Sequence, residues 1–393
     1  MDPVKSIRNV KGDLLLGKKI VLGITGSVSA EEMVKVSREL IRYGADIIPV
    51  MTEDAKNIIT PTSIEYATGK KPIDQITGLT EHVVLEKESD MLLISPCSAN
   101  TISKIANGIG DTTVSLFALT FLGSKPILIA PAMSETMYKN PIIVENIKKL
   151  KQFGVIFIDP KMEEGKAKLP DLDTIVAYTI RSLNKKINKK ILIIGGATEE
   201  PIDDIRVITN KSSGFTSVEL AKAAFFYGAD VKLLLGRSEV EPPSYIKTEK
   251  FRTIDDLLSM IDGMLDYDAI FLPAAISDFK TNKFDGKIKS DNETEIHLKP
   301  TTKFIKVLRE RFNGDTIAFK AEFGYEKLVD ESRKMIENYS LRFVIANDMR
   351  DVKFDTTKIL IVEKNNVKEL SGKKSNVALK IMEFYSGFTE HNG

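Results

Sequence analysis

The residues best equipped for chemistry follow apolar runs. In the first half, Gly23-Ile24-Thr25-Gly26-Ser27 closes one such run and Met51-Thr52-Glu53 the next. Ser95-Pro96-Cys97-Ser98-Ala99-Asn100-Thr101 closes a third, and Pro131-Ala132-Met133-Ser134-Glu135-Thr136-Met137-Tyr138 a fourth. Hydroxyls and small residues ahead of a helix leave backbone N–H groups free to hold a phosphate. A tight turn needs glycine in any case, so the first loop alone decides nothing. His82, eight residues before Asp90, is a candidate base, although a lone histidine serves structure equally well. In the second half, Gly195-Gly196-Ala197-Thr198-Glu199-Glu200-Pro201-Ile202-Asp203 leads to Arg206 and then Asn210-Lys211-Ser212-Ser213-Gly214. That helix start suits an anion, with Arg206 and Lys211 as counter-charges. Capping explains Ser212 or Ser213, whereas Arg206 and Asn210 read as buried. Ala274-Ala275-Ile276-Ser277-Asp278-Phe279, Lys287-Ile288-Lys289 and Phe319-Lys320-Ala321-Glu322 follow. A bare Lys-x-Lys is by itself a solvated face.

Parallel strands are the elements that aim such loops. Lys19–Thr25 is a mainly apolar, β-branched run, the pattern of a strand buried on both faces. Ala30–Tyr43 has helical spacing, with Met33, Val36, Leu40 and Ile41 on one side; Gly44 ends it and Ile47–Met51 is the next strand. The same grammar restarts with strand Ile191–Ile194, helix Ser217–Tyr227 and strand Val231–Leu235. Further strands are expected at Met91–Ser95, Pro126–Ala130, Val155–Ile158, Ala269–Pro273, Thr316–Phe319 and Phe343–Ala346. An edge strand is expected at Lys358–Val362 and a closing helix at Asn376–Tyr385. The fold class is therefore α/β, with two doubly wound, Rossmann-like domains over 1–184 and 191–393. The polar, basic stretch 185–190 reads as a linker.

Composition narrows the function. Among 393 residues, 56 Lys and Arg nearly cancel 55 Asp and Glu, so no net field gathers nucleic acid or a membrane surface. One cysteine excludes an intramolecular disulfide framework, and three histidines make a clustered metal site improbable. No apolar run approaches the ~20 residues of a membrane span. The first residues lack the apolar core of a signal peptide, so the expected location is cytoplasmic. Abundant Lys and Ile without Trp hint at a thermophilic source.

His-x-x-Leu…Asp from His82, the S-P-x-[ST]-A-N-T loop, a K-x-A-x-G segment and P-A-M-x-x-x-M-Y together resemble the homo-oligomeric flavin-containing cysteine decarboxylases over about Lys18–Ala177. The resemblance implies a flavodoxin-like domain binding FMN, its phosphate near Gly26, Ser27, Ser29 and Thr52. Ser95, Ser98, Ala99, Asn100, Thr101 and Met133 would surround the rest. His82 would be the base, with Ser134 and Met137 at the substrate. In that family the flavin oxidises the thiol side of a cysteine, CO2 leaves, and the hydride returns. Here Ser134 stands where Asn is usual; its hydroxyl can still donate one hydrogen bond. The stretch Pro160–Gly165 lacks the cysteine of the usual Ala-Cys-Gly clamp, so either the clamp chemistry differs or the reaction stops short. Cys97 reads as structural.

Over about Lys190–Tyr385, G-A-T-x-E-P-I-D-x-[IV]-R, N-x-S-S-G, A-A-[IV]-x-D-F, K-I-K and F-K-x-E resemble the phosphopantothenate–cysteine ligases. This implies activation of a carboxylate as an acyl-nucleotide, then attack by the cysteine amine. Lys289 would neutralise the phosphates with Mg2+, while Asn210 and Arg206 hold the acyl intermediate. Gly196, Ser212, Ser213, Gly214, Ala275, Asp278, Lys287, Phe319 and Lys320 would line the nucleotide and substrate sites. CTP is favoured, with ATP as the alternative because Phe319–Glu322 is closer to eukaryotic ligases.

The fused order resembles archaeal-like bifunctional coenzyme A biosynthesis proteins, which convert 4′-phosphopantothenate and L-cysteine through 4′-phosphopantothenoylcysteine to 4′-phosphopantetheine. It implies a homo-oligomer of trimeric flavin domains and dimeric ligase domains, up to a dodecamer. The alternatives are a ligase fused to an impaired or oxidative flavin half, and a nonenzymatic flavoprotein regulator. A dinucleotide-dependent dehydrogenase ranks last, since neither half has G-x-G-x-x-G with an acidic residue ~20 positions on.

Overall fold

The computed structural model describes residues 3–289, 293–348, 350–351 and 353–390, so His391 and the last residues of the second expected domain lie outside it. The chain divides into two compact units between Asn184 and Lys185.

The first unit is a five-stranded parallel sheet of β1 (Lys19–Ile24), β2 (Asp46–Met51), β3 (Met91–Cys97), β4 (Ile127–Pro131) and β5 (Ile156–Phe157), in the order β2-β1-β3-β4-β5. The central strands are apolar throughout because helices cover both faces. Val21, Leu92 and Ile94 pack with Phe117 and Phe121 in one fully buried cluster. The helix expected from Ala30 begins as a tight turn, Val28–Glu32, and becomes α-helical over α1 (Met33–Arg42). Helices α2 (Glu81–Glu88), α3 (Ala99–Ala106) and α4 (Thr113–Phe121) position the site residues.

The main sheet of the second unit has eight strands among the described residues: β6 (Lys190–Gly195), β7 (Asp230–Leu235), β8 (Lys247–Lys250), β9 (Ala269–Leu272), β10 (Asp315–Glu322), β11 (Phe343–Asp348), β12 (Thr356–Val362) and β13 (Val367–Lys373). Their order is β8-β7-β6-β9-β10-β11-β12-β13, parallel from β8 to β11 and antiparallel thereafter. Helices α5 (Phe215–Phe226), α6 (Tyr325–Tyr339) and α7 (Lys374–Glu390) pack on it. The expected edge strand at Lys358–Val362 is instead covered by β13, and the opposite edge is β8. The stretch read as a linker packs onto this unit: the N–H groups of Lys186 and Ile187 both donate to the Tyr227 carbonyl (2.9 and 2.8 Å), and Ile187 is buried. Among the described residues no helix is long and apolar enough to cross a membrane.

Candidate active sites

In the first unit the chain leaves β1 toward β2 and leaves β3 toward β4, so a crevice opens between the carboxyl ends of these two neighbours. Thr25 ties their loops together. Its Oγ1 donates to the Pro96 carbonyl (2.9 Å) and accepts from Ser98 N–H (3.0 Å). Ser98 caps α3 by accepting from Thr101 N–H (3.3 Å), and Thr52 caps the turn Glu53–Lys56 through Ala55 N–H (3.3 Å). The Ser27 hydroxyl donates to the Ala132 carbonyl (3.4 Å), drawing the fourth loop to the first. Gly26 and Asn100 are exposed, Ser27 and Ser29 half-buried, and Ala99 buried. Ser95 is fully buried and its Oγ has no partner among the described residues.

His82 sits in the first turn of α2. Its Nδ1 is buried without a partner among the described residues, and its ring stands edge-on to Phe117 with centroids 6.4 Å apart. Because α2 runs through Ser89 and Asp90 straight into β3, its first turn lies toward the carboxyl edge of the sheet. Asp90 is at the opposite edge, accepting from Lys19 N–H (2.8 Å), so it is not the partner of His82. Cys97 is fully buried and burial pushes its thiol far above the usual range, which leaves no thiolate.

The stretch without the clamp cysteine is an ordered hairpin. Strands Lys161–Glu163 and Lys166–Lys168 are joined by Glu164-Gly165, both at positive φ (51° and 68°), as a two-residue type I′ turn requires. The second strand pairs with Met133–Ser134, and Glu135 N–H donates to the Gly165 carbonyl (3.0 Å). Ser134 is exposed and caps the next turn, its Oγ accepting from Met137 N–H (3.3 Å); Met137 is half-exposed.

In the second unit the corresponding crevice lies between β6 and β9. Gly196, at φ +75°, is pressed so close to the next loop that a Cβ would stand 2.6 Å from the Arg237 carbonyl. Thr198 repeats the role of Thr25: its Oγ1 accepts from Ser277 N–H (3.0 Å), and its carbonyl accepts from the Thr209 hydroxyl (2.7 Å). The amide of Asn210 donates to the Ala275 and Ile276 carbonyls (3.2 and 3.3 Å). A cleft of ≈ 620 Å³ is lined by Asn210, Lys211, Ser212, Ser213, Arg237 and Glu199. Among the described residues the hydroxyls of Ser212 and Ser213 accept only long bonds (3.4 Å) from Gly214 and Phe215 N–H at the start of α5, leaving their protons available.

Arg206 donates through Nη1 to the buried Asp203 carboxylate and to the Ile288 carbonyl (3.3 Å), which places Lys287 and Lys289, both exposed, beside it. Asp278 is exposed and ion-paired with Lys303. Strand alternation sends Phe319 and Lys320 to opposite faces of β10. Phe319 borders a small hollow with Thr216 and Asn347, while Lys320 pairs with Glu331 on α6 (2.9 Å).

A family profile described as "Flavoprotein" matches residues 10–184, and one described as "DNA/pantothenate metabolism flavoprotein C-terminal domain" matches residues 187–387. The coenzyme A biosynthesis bifunctional protein CoaBC of Thermococcus kodakarensis is 44% identical over 381 residues, covering 93% of this chain and 94% of its own length. The chain belongs to the CoaBC family. The CoaBC protein of Methanocaldococcus jannaschii is 38% identical over 98% of this chain and 97% of its own. A crystal structure of the C-terminal domain of a CoaBC protein is 26% identical, covering 53% of this chain and 99% of that one at a TM-score of 0.45.

The chain brings Gly26, Ser27, Ser98 and Thr101 around one crevice, and Gly196, Asn210 and Ala275 around the other. Phe319 and Lys320 are not brought together. The expected burial of Arg206 and Asn210 is corrected, since both are exposed. Sequence reasoning passed over Thr25 and Thr198 as bridging residues, Arg237 in the cleft and Asp203. The threonines share one signal, the first hydroxyl after a buried strand of a βα turn. Arg237 and Asp203 act through residues remote in the chain.

Proposed function

We propose that this chain performs two consecutive steps of coenzyme A biosynthesis. The second unit joins L-cysteine to 4′-phosphopantothenate, and the first decarboxylates 4′-phosphopantothenoylcysteine to 4′-phosphopantetheine. The observation that carries the reading is the end-to-end match to CoaBC proteins.

In the ligation, a carboxylate oxygen of 4′-phosphopantothenate attacks the α-phosphorus of CTP and pyrophosphate leaves; ATP is the alternative nucleotide. Lys289, with Lys287 beside it, neutralises the phosphates in that step. Ala275, Asp278 and Phe319 are assigned to the nucleotide, and Gly196, Ser212, Ser213 and Gly214 to anionic groups, while Lys320, on the other face of β10 and paired with Glu331, is left out of that set. Asn210 and Arg206 hold the acyl-nucleotide while the cysteine amine attacks its acyl carbon and the nucleoside monophosphate leaves. Among the described residues no three His, Cys, Asp or Glu side chains gather into a metal cluster, so Mg2+ is assigned to the triphosphate it accompanies.

The first unit fits FMN in its donor set: hydroxyls of Ser27, Ser29, Thr52, Ser98 and Thr101, the N–H groups at Gly26 and at Ala99 and Asn100, the side chain of Met133, and the buried Ser95 Oγ, unpaired among the described residues. FMN supplies the reversible two-electron acceptor that a cysteine carboxylate lacks. His82 Nδ1 is the atom assigned to take the proton at the cysteine end. Ser134, whose hydroxyl proton is not used by its cap, donates to the substrate carboxylate, with Met137 against the substrate. The cysteine-free hairpin favours a second reading, in which the flavin half halts at an oxidised enethiol. The assembly is assigned as a cytoplasmic homo-oligomer of trimeric flavin and dimeric ligase units, up to a dodecamer.

The test is the product mass after incubation with 4′-phosphopantothenate, cysteine, Mg2+ and CTP, with ATP in parallel. 4′-Phosphopantetheine is expected. A mass two hydrogens lower, the enethiol, would establish the second reading, and absence of any amide product would overturn both.

A further inference from the structure

The carboxylate of Asp203 has no exposed surface, yet it is saturated by donors from two distant stretches of chain. Oδ1 accepts from Ile205 N–H (2.8 Å) and Arg206 N–H (2.6 Å), and Oδ2 accepts from Ile288 N–H (3.1 Å) and Arg206 Nη1. Arg206 Nη1 returns to the Ile288 carbonyl (3.3 Å), so both backbone groups of Ile288 are held through this one carboxylate. Neighbouring bonds extend the seam: Phe284 N–H to the Ile202 carbonyl (2.8 Å), Gly286 N–H to Asp204 Oδ2 (3.1 Å) and Lys283 to Asp204 (2.6 Å). Among the described residues the last contact of the seam is at Ile288, one residue before Lys289.

We propose that Asp203 is the positioning residue for Lys289 in acyl-nucleotide formation. The proposal rests on the assignment of Lys289 to the phosphates. An ammonium on an exposed segment is effective only if its backbone is fixed, and a displacement of about 1 Å costs on the order of 100-fold in rate. Asp203 fixes that backbone by charge-assisted bonds on either side of Ile288. Asparagine at 203 would replace one acceptor by an N–H2 group facing donors: at the Oδ2 position Ile288 N–H and the guanidinium lose their partner together, at the Oδ1 position the N–H groups of Ile205 and Arg206 do, and in both cases the charge that strengthens the remaining bonds is gone.

The experiment is a cycle of Asp203→Asn, Lys289→Gln and the double variant in the full chain. Pyrophosphate release from 4′-phosphopantothenate and CTP is read in single turnover. Trypsin cleavage after Lys287 is read separately, without substrates. Asp203→Asn is expected to slow pyrophosphate release about 100-fold with KM for 4′-phosphopantothenate changed less than about threefold. It is also expected to speed cleavage after Lys287. In the Lys289→Gln background it should add little, because the group it positions is gone. Full additivity in the double variant, or unchanged pyrophosphate release in Asp203→Asn, would overturn the proposal. Normal turnover by Lys289→Gln alone would instead remove Lys289 from the reaction, a failure of the underlying assignment, while the cleavage rate in Asp203→Asn reads independently whether Asp203 fixes the segment.

Discussion

His82 Nδ1 and the Asp203 carboxylate are buried in opposite conditions. His82 Nδ1 has no partner among the described residues, a costly state for a polar atom that a substrate proton or oxygen would relieve. His82→Asn is therefore expected to lower decarboxylation by about 10²- to 10⁴-fold while flavin absorbance and ligation persist. Retained decarboxylation would return His82 to a structural role. Asp203 is oversupplied with donors: burial alone would raise its pKa, but the N–H groups of Arg206, Ile205 and Ile288 hold it well below the carboxylate range. Asp348 behaves likewise, chiefly through the Arg350 guanidinium and also Gly324 N–H. A folded-state pKa below the unfolded value of about 3.9 gives stability that is complete above that value and is lost as pH falls through the folded one. The stability gap between the wild type and Asp348→Asn should thus be constant from about pH 7 to 5 and shrink below about pH 4. Urea melts that keep the gap at pH 2.5 would contradict this.

At the level of elements, each crevice depends on a loop stapled to its neighbour. Gly196→Ala forces a Cβ against the Arg237 carbonyl at an unfavourable positive φ, an expected loss of roughly 2–4 kcal/mol. Ligation should fall with it, whereas decarboxylation of supplied 4′-phosphopantothenoylcysteine should persist; equal loss of both would show that the damage is not local. The central strands were legible because burial on both faces leaves a continuous apolar run, as in Ile191–Ile194. β8, read as Lys-Thr-Glu-Lys, and β13, with Lys368, Glu369 and Lys373, were not, because edge strands face solvent and shed that pattern. The hairpin at Lys161–Lys168 was hidden for the same reason. The site loops stood out as hydroxyl and glycine clusters after strands. The exposure of Arg206 did not, since its contact with Ile288 joins residues 82 apart in the chain.

For the whole molecule, the two-unit α/β architecture was readable because the same strand–loop–helix grammar starts twice. What stayed hidden was which distant segments each loop would meet. The assignment of Mg2+ to the triphosphate makes a prediction at this scale. A chelator should stop ligation and leave decarboxylation of supplied 4′-phosphopantothenoylcysteine intact, as followed by CO2 release; loss of both would place a cation in the first unit. The uninterrupted passage from Asn184 to Lys185 also bears on supply. Every translated copy delivers one catalyst of each kind, so expression level cannot alter their ratio. Whether the amide intermediate accumulates is then decided by two turnover numbers, and selection to clear it must act on side chains rather than on gene dosage.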